Sequence, residues 1–364
     1  MNLFNRKIGR RRFISVSSTF IGAGMLGKPS RLLFAADGPS KAPDNTKYGK
    51  YILSGYNAEI QDPQRGTFVS KLGSDLVPGA PNGNFVRMPP PGPMPEHGGS
   101  EAHPISVYLM HLGNDPDDPM DLGAEAHLYL GKGGEDMEKH VITKTTAVFI
   151  PAGIWHCPWQ VKKVWKPMTF IDLGHPGAVP SGADQKDMAK LMEKMAKSRT
   201  SDFKYGNDMG PSVTVTEEDL AKARTSGFKY DKLLLSGVSK EVQEKDPSGG
   251  KMIAYVDCTI LPGAWMTRII RFQPKDAPFP RAVFSKHKYE SVLIHLGTDF
   301  DDPFDLGAEI EFCIGEEKEK HVFNQSTVVY IPPDMEYGPW QIKKISKPFN
   351  FLQVVMGAEV PVTI

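Results

Sequence analysis

Short apolar runs broken by turn residues are the dominant pattern of this chain. HPISVYLMHLG (103–113), AEAHLYLG (124–131), TAVFIPAG (146–153) and MTFIDLG (168–174) are rich in β-branched or aromatic residues and are separated by Gly, Pro and Asp. Runs of that length predict strands, and many of them in series predict an all-β sandwich or jelly-roll barrel. Helical spacing is clearest further on. ADQKDMAKLMEKMAKS (183–198) sets Met and Leu at a helical period among alternating charges, and TEEDLAKAR (216–224) opens on Thr216 as an N-cap before acidic residues. Two helices are expected there, packed beside the strands rather than carrying chemistry.

The pattern occurs twice. KYGKYILSG (47–55) returns as KYDKLLLSG (229–237), and HLGNDPDDPMDLGAE (111–125) returns as HLGTDFDDPFDLGAE (295–309). EKHV (138–141) returns at 319–322, and PWQVKKVWKP (158–167) returns as PWQIKKISKP (339–348). Order and offset, 181 to 184 residues, are kept throughout. Such self-similarity marks a duplicated structural unit. Copy one spans 45–180 and copy two spans 227–364, with 181–226 as a helical linker.

Composition narrows the function classes. The chain has 364 residues, 43 basic and 43 acidic, so no charge excess points to nucleic acid or to a disordered acidic chain. Gly (35) and Pro (31) are abundant, which suits a turn-rich β body. The three cysteines, Cys157, Cys258 and Cys313, form neither a disulfide framework nor a zinc ribbon, and no bridge is expected.

The first 36 residues read as a leader. Arg6, Lys7, Arg10, Arg11 and Arg12 precede a mildly apolar run, FISVSSTFIGAGMLG (13–27), too short and too rich in Ser and Gly for a membrane span. RRRFI (10–14) resembles a twin-arginine export signal, with cleavage near Ala35–Ala36; an ordinary secretory signal or a basic N-terminus is the alternative. An exported, periplasmic protein with no membrane span in its mature form is expected.

One stretch separates the two copies. IPAGIWHCPW (150–159) aligns with IPPDMEYGPW (331–340), so His156 is matched by Tyr337. PAGIWH (151–156) resembles the second signature of the cupins, and EAHPISVYLMHLG (101–113) and SKHKYESVLIHLG (285–297) resemble the first. The resemblance covers both copies and implies a bicupin: two double-stranded β-helix, jelly-roll barrels, each with a metal site in its mouth. It also implies ligands of three His and one Glu.

This chain departs from that set. Copy one keeps His103 and His156, with Glu101 as a carboxylate two residues before His103; strand residues at i and i+2 share a face. Two His and one carboxylate suit non-haem iron or a similar divalent ion among Mn, Fe, Ni, Cu and Zn. Glu125 and His97 are reserve ligands and His127 a weaker one. Copy two keeps His287, with Ser285 before it, Glu290 near the glutamate place and Tyr337 instead of His, a poor divalent site. Copy one is therefore read as the active pocket and copy two as a degenerate one. The bland alternative is that His103 and His156 are satisfied core histidines.

Other residues are matched in both copies: His111 with His295 and His140 with His321 are read as structural, and for Glu125 with Glu309 a turn or cap role stands level with ligation. The acidic turns 115–121 and 299–305 suit either calcium or plain Asp–Pro turns. Trp155, Trp159 and Trp340 are expected to pack the core or rim. Cys157 beside His156 is not expected to form a nucleophile pair, since adjacent strand residues point opposite ways.

Two functions follow. One is a metal-dependent enzyme of dioxygenase, decarboxylase or isomerase type on a small oxygen-rich substrate, with 87–99 as a lid. The other is a non-catalytic bicupin binding a small ligand or a metal. Fold alone does not choose between them. A third reading is an oligomeric scaffold, a homo-oligomer, as the resemblance implies, since cupin barrels often pair through strands.

Overall fold

The computed structural model describes residues 46–55, 66–74, 76–92, 96–97, 102–103, 106–132, 136–174, 229–246, 248–276, 280–281 and 285–356, all within the compact unit Asp37–Ile364. The expected leader and helical linker lie outside the described residues. Copy one contributes β1 (Ile52–Ser54), β2 (Thr67–Leu72), β3 (Asn82–Met88), β4 (Glu96–His97), β5 (Val107–Gly113), β6 (Asp121–Gly131), β7 (Glu138–Lys144), β8 (Thr146–Ile150), β9 (Trp155–Val164) and β10 (Met168–Gly174). Copy two contributes β11 (Leu234–Leu235), β12 (Lys251–Val256), β13 (Met266–Phe272), β14 (Pro280–Arg281), β15 (Ser291–Gly297), β16 (Asp305–Ile314), β17 (Glu319–Gln325), β18 (Thr327–Ile331), β19 (Tyr337–Ile345) and β20 (Phe349–Val355). A single described α-helix, α1 (Lys240–Lys245), is capped by the Ser239 side chain, which accepts from the Val242 N–H.

Each copy builds one jelly-roll barrel from a six-stranded and a four-stranded sheet. Barrel one pairs strands in the order β11-β8-β5-β10-β3-β2 and β4-β9-β6-β7; barrel two repeats this as β1-β18-β15-β20-β13-β12 and β14-β19-β16-β17. The six-stranded sheets are buried on both faces. In β5, Tyr108 faces the other barrel, where it contacts Trp265 and donates its hydroxyl to the Trp265 carbonyl at 2.9 Å. Its neighbours Val107, Leu109 and His111 alternate into the lumen. That double burial is why the strand reads as a continuous apolar run rather than an alternation.

The sheet orders show an exchange. β1 joins barrel two beside β18, and β11 joins barrel one beside β8, so the opening strand of each copy completes the other copy's sheet. The repeated KY and EKHV motifs clasp it. Glu319 accepts from the Lys47 and Tyr48 N–H groups at 3.1 and 3.0 Å, and Glu138 accepts from Lys229 and Tyr230 N–H, both at 3.1 Å. His140 and His321 belong to this clasp: His140 meets Asp231 at 3.1 Å and His321 meets Glu319 at 2.8 Å.

The acidic turns are internally satisfied. Asp115 accepts from the Asp117 and Asp118 N–H groups, and the Lys166 ammonium binds both Asp115 and Asp121. Asp299, Asp305 and Lys347 repeat the arrangement. The carboxylates thus make turns and ion pairs, the plain reading of the Asp–Pro stretches. Glycine is required between strand and turn: a Cβ on Gly113 or Gly297 would lie 1.9 or 1.8 Å from the Asp121 or Asp305 carbonyl oxygen. None of the three cysteines is in a disulfide.

Candidate functional site

The lumen of barrel one brings His103 and His156 together. Their ring centroids are 5.0 Å apart with planes tilted by 51°. His103 lies just before β5, and its carbonyl accepts from the Gly153 N–H at 2.8 Å, which ties the first-signature segment to the turn entering β9. His156 is buried near the start of β9, with Nδ1 3.4 Å from the Ile154 carbonyl.

A bulge decides where His156 points. Leu128 pairs with Trp159, and Leu130 pairs with His156, so Cys157 and Pro158 together oppose the single residue Tyr129. In a regular strand, residues three apart face opposite ways. The extra residue puts both His156 and Trp159 inside with Leu128 and Leu130, as bulges beside functional sites do. Cys157 takes a positive φ of 71° there, where copy two has Gly338 at 99°. The simple alternation expected for Cys157 therefore does not apply; its thiol is buried.

Glu125 and His127 fall elsewhere. Glu125 bonds its strand neighbour His127 at 2.6 Å and pairs across with Lys163; its side chain is 41% exposed. Five residues along β6 from Leu130 is about 17 Å, so Glu125 is not a ligand beside His156, and His127 is held by it. Burial nevertheless holds His127 below the ordinary histidine value, against the opposing Glu125 bond. His97 lies on β4 across from Trp159, three residues beyond His156 on the partner strand. Glu101 lies outside the described residues. Among the described residues no group of three His, Cys, Asp or Glu is placed to hold a metal.

Barrel two fills the same place differently. His287 Nε2 lies 2.7 Å from the Tyr337 hydroxyl, and Gln353 Nε2 is 3.4 Å from that hydroxyl. Ser285, aligned with Glu101, bridges Tyr337 through reciprocal backbone hydrogen bonds of 2.8 and 3.0 Å. Glu290 accepts from Tyr330 at 2.9 Å, so the carboxylate expected near the second site serves β18 instead.

The histidines matched in both copies are structural. His111 and His295 are fully buried, and each accepts from a tryptophan indole, Trp159 or Trp340, at 2.9 Å. Burial pushes both down to about 3, so they are neutral at physiological pH. They form the apolar floor of each lumen with Phe170 and Phe351.

No protein-family model matches the chain, and no curated protein matches it. Similar solved structures include a mutant of Bacillus subtilis oxalate decarboxylase OxdC, at 10% identity and TM-score 0.48, over 81% of this chain and 74% of that one. Lactobacillus farciminis oxalate decarboxylase in its formate complex gives 11% and 0.44, over 79% and 80%. AerE from Microcystis aeruginosa gives 12% and 0.41, over 84% and 98%. Similarity at that level leaves the site to be read from this chain's own residues.

Asp172 is the residue that the sequence reading missed. On β10 it pairs with Asn84 of β3 and Leu109 of β5, as Gln353 pairs with Arg268 and Leu293 in barrel two. It is two residues from Phe170, which stacks on Trp159 inside the lumen, so it shares that face. The signal was present: aligning the repeat sets DLG (172–174) against QVV (353–355), a charge difference at a strand with no other charged residue in either copy.

Proposed function

We propose that barrel one holds one divalent transition metal (Mn, Fe, Ni, Cu or Zn) on His103, His156 and Glu101, and that the chain is an exported metal-dependent enzyme for a small oxygen-rich substrate. The observation that carries this is the 5.0 Å separation of the two imidazoles. Two rings bound to one ion through bonds of about 2.1 Å place their centres roughly 5 Å apart at tetrahedral or octahedral angles. Glu101 supplies the carboxylate because the repeat aligns it with Ser285, and Ser285 faces Tyr337, the counterpart of His156.

A bound ion of this kind supplies Lewis-acid polarisation of a substrate carbonyl or carboxylate. The chain's own residues set the conditions. The Ile154 carbonyl facing His156 Nδ1 favours the tautomer that leaves Nε2 as a ligand. Leu128, Leu130, Trp159 and Phe170 line an apolar lumen that excludes bulk water, and Asp172 adds a carboxylate on the same face. Dioxygenase, decarboxylase and isomerase chemistry all suit such a site.

Metal analysis of the mature protein tests the reading. About one transition metal per chain is expected, lost in His156→Ala while the circular dichroism of the fold persists. A metal-free native protein overturns it. That result would favour the second reading, a non-catalytic bicupin for small ligands. Export rests on RRRFI; replacing Arg10 and Arg11 by Lys should leave the protein in the cytoplasmic fraction.

A further inference from the structure

Barrel two is more polar inside than the loss of a metal site requires. Leu293, Ile270 and Phe351 belong to its core, so residues two away on the same strands share the lumen face. Those residues are Ser291 on β15, Arg268 on β13 and Gln353 on β20. Arg268 and Gln353 are direct cross-strand partners, and Ser291 lies one lumen-facing step from Leu293, which also pairs with Gln353. All three are buried, at 0% exposure for Ser291, 3% for Arg268 and 5% for Gln353.

Two of these three side chains hold an unmatched oxygen. Gln353 Oε1 and Ser291 Oγ are buried and lack a hydrogen-bond partner. Native chains rarely leave such atoms unmatched, and two in one lumen point to a ligand that completes them. Turning the Gln353 amide over only exchanges which end is left unbonded. Barrel one has Val107, Asn84 and Asp172 at the matching places, so the polar set is particular to barrel two. The change also reverses charge: an Asn–Asp pair in one lumen becomes an Arg–Gln pair in the other.

We infer that barrel two is a metal-free pocket for a small hydroxylated carboxylic acid. The Arg268 guanidinium, which lies over the Phe351 ring at 5.8 Å, attracts the carboxylate. Asp246 stands 3.8 Å from Nη1 as a buried ion-pair partner that holds the guanidinium in place. The Tyr337 hydroxyl, held by His287, adds a polar contact for the carboxylate, while Gln353 Oε1 accepts from the ligand hydroxyl and the Ser291 hydroxyl donates to that hydroxyl's oxygen. The buried His295–Trp340 pair closes the floor.

Calorimetric titration of the mature chain with glycolate, lactate, malate and succinate tests this. At least one hydroxy acid should bind, and succinate, lacking the hydroxyl, should bind more weakly by about tenfold or more. Binding should persist after chelator treatment and in His156→Ala, which separates this pocket from the site proposed in barrel one. Gln353→Leu should weaken it about tenfold or more, and so should Ser291→Val, which installs the residue barrel one already tolerates. The inference is overturned if no hydroxy acid binds at about 10 mM. It is equally overturned if binding disappears with the chelator, or if a folded Ser291→Val protein binds as tightly as the parent.

Discussion

Arg87 and Arg271 occupy matching places in the two copies, and each guanidinium crosses to the opposite barrel. Arg271 donates to the Gly113 and Asp115 carbonyls at 2.8 Å each, and Arg87 donates to the Gly297 and Asp299 carbonyls. Each Nε is held within its own barrel, by Thr169 for Arg87 and Asn350 for Arg271. The pair is buried, and burial draws both down to about 10, so both stay charged at neutral pH. A fixed, planar set of donors aimed at backbone carbonyls locks the two barrels in one register.

Removing either arginine should therefore destabilise the whole unit. Arg271→Met leaves the Gly113 and Asp115 carbonyls and Asn350 short of a donor, for a loss of about 3–5 kcal/mol. Arg271→Lys should recover little, since an ammonium cannot reproduce the fork. Chemical denaturation reads this as a lowered midpoint; an unchanged midpoint would show that the clamp is ornamental.

Acid should unfold the protein earlier than its carboxylates alone predict. The unfolded histidine value is 6.5, and burial holds His111 and His295 at about 3. Above pH 6.5 neither state is protonated there and nothing is lost. Below it the unfolded chain takes up protons that the folded chain refuses, so stability falls by about 1.4 kcal/mol per pH unit for each histidine until about pH 3. Midpoints measured from pH 7 to 4 should fall less steeply in His295→Gln, which keeps an acceptor for Trp340. Parallel curves would contradict this account.

The strand exchange should open locally before the barrels do. Glu319→Ala removes the acceptor of the Lys47 and Tyr48 amides, and Glu138→Ala does the same for Lys229 and Tyr230. Hydrogen exchange at Ile52–Ser54 should quicken about tenfold in Glu319→Ala, with β13 and β20 protected as before. Uniform acceleration across both sheets would mean that the exchanged strand is not an independent unit.

Barrel two should accept a metal if its missing ligands are restored. Tyr337→His returns an imidazole beside His287, and Ser285→Glu returns the carboxylate that copy one has at Glu101. The double variant, dialysed against Zn or Mn, should rise from about one to about two metal equivalents per chain. It should also lose the His287–Tyr337 bond and with it the proposed hydroxy-acid binding. No added metal would show that the ring geometry of barrel one is not transferable.

Much of this was readable before folding. Strand period and turn chemistry are local, so β5, β8 and β10 and their copies could be read from apolar runs ended by Gly, Pro and Asp. The pairing of His103 with His156 was legible because two short segments carried it. Glu125 misled for the opposite reason: it lies on a lumen strand, but the distance along β6 that separates it from Leu130 enters only once register is known. Glu290 failed likewise, because Tyr330 comes to it from a different strand.

The sequence by itself determined a duplicated, antiparallel β architecture, its turns, and the asymmetry of His156 against Tyr337. These depend on spacing along one segment, which a linear chain records. Only the tertiary structure decided that the copies trade their first strands, that Arg87 and Arg271 cross between barrels, that a bulge turns both His156 and Trp159 inward, and that Asp172 and Gln353 give the lumens different chemistry. Each of these is set by register between segments far apart in sequence, where packing and hydrogen-bond pairing choose among arrangements that the local pattern permits equally.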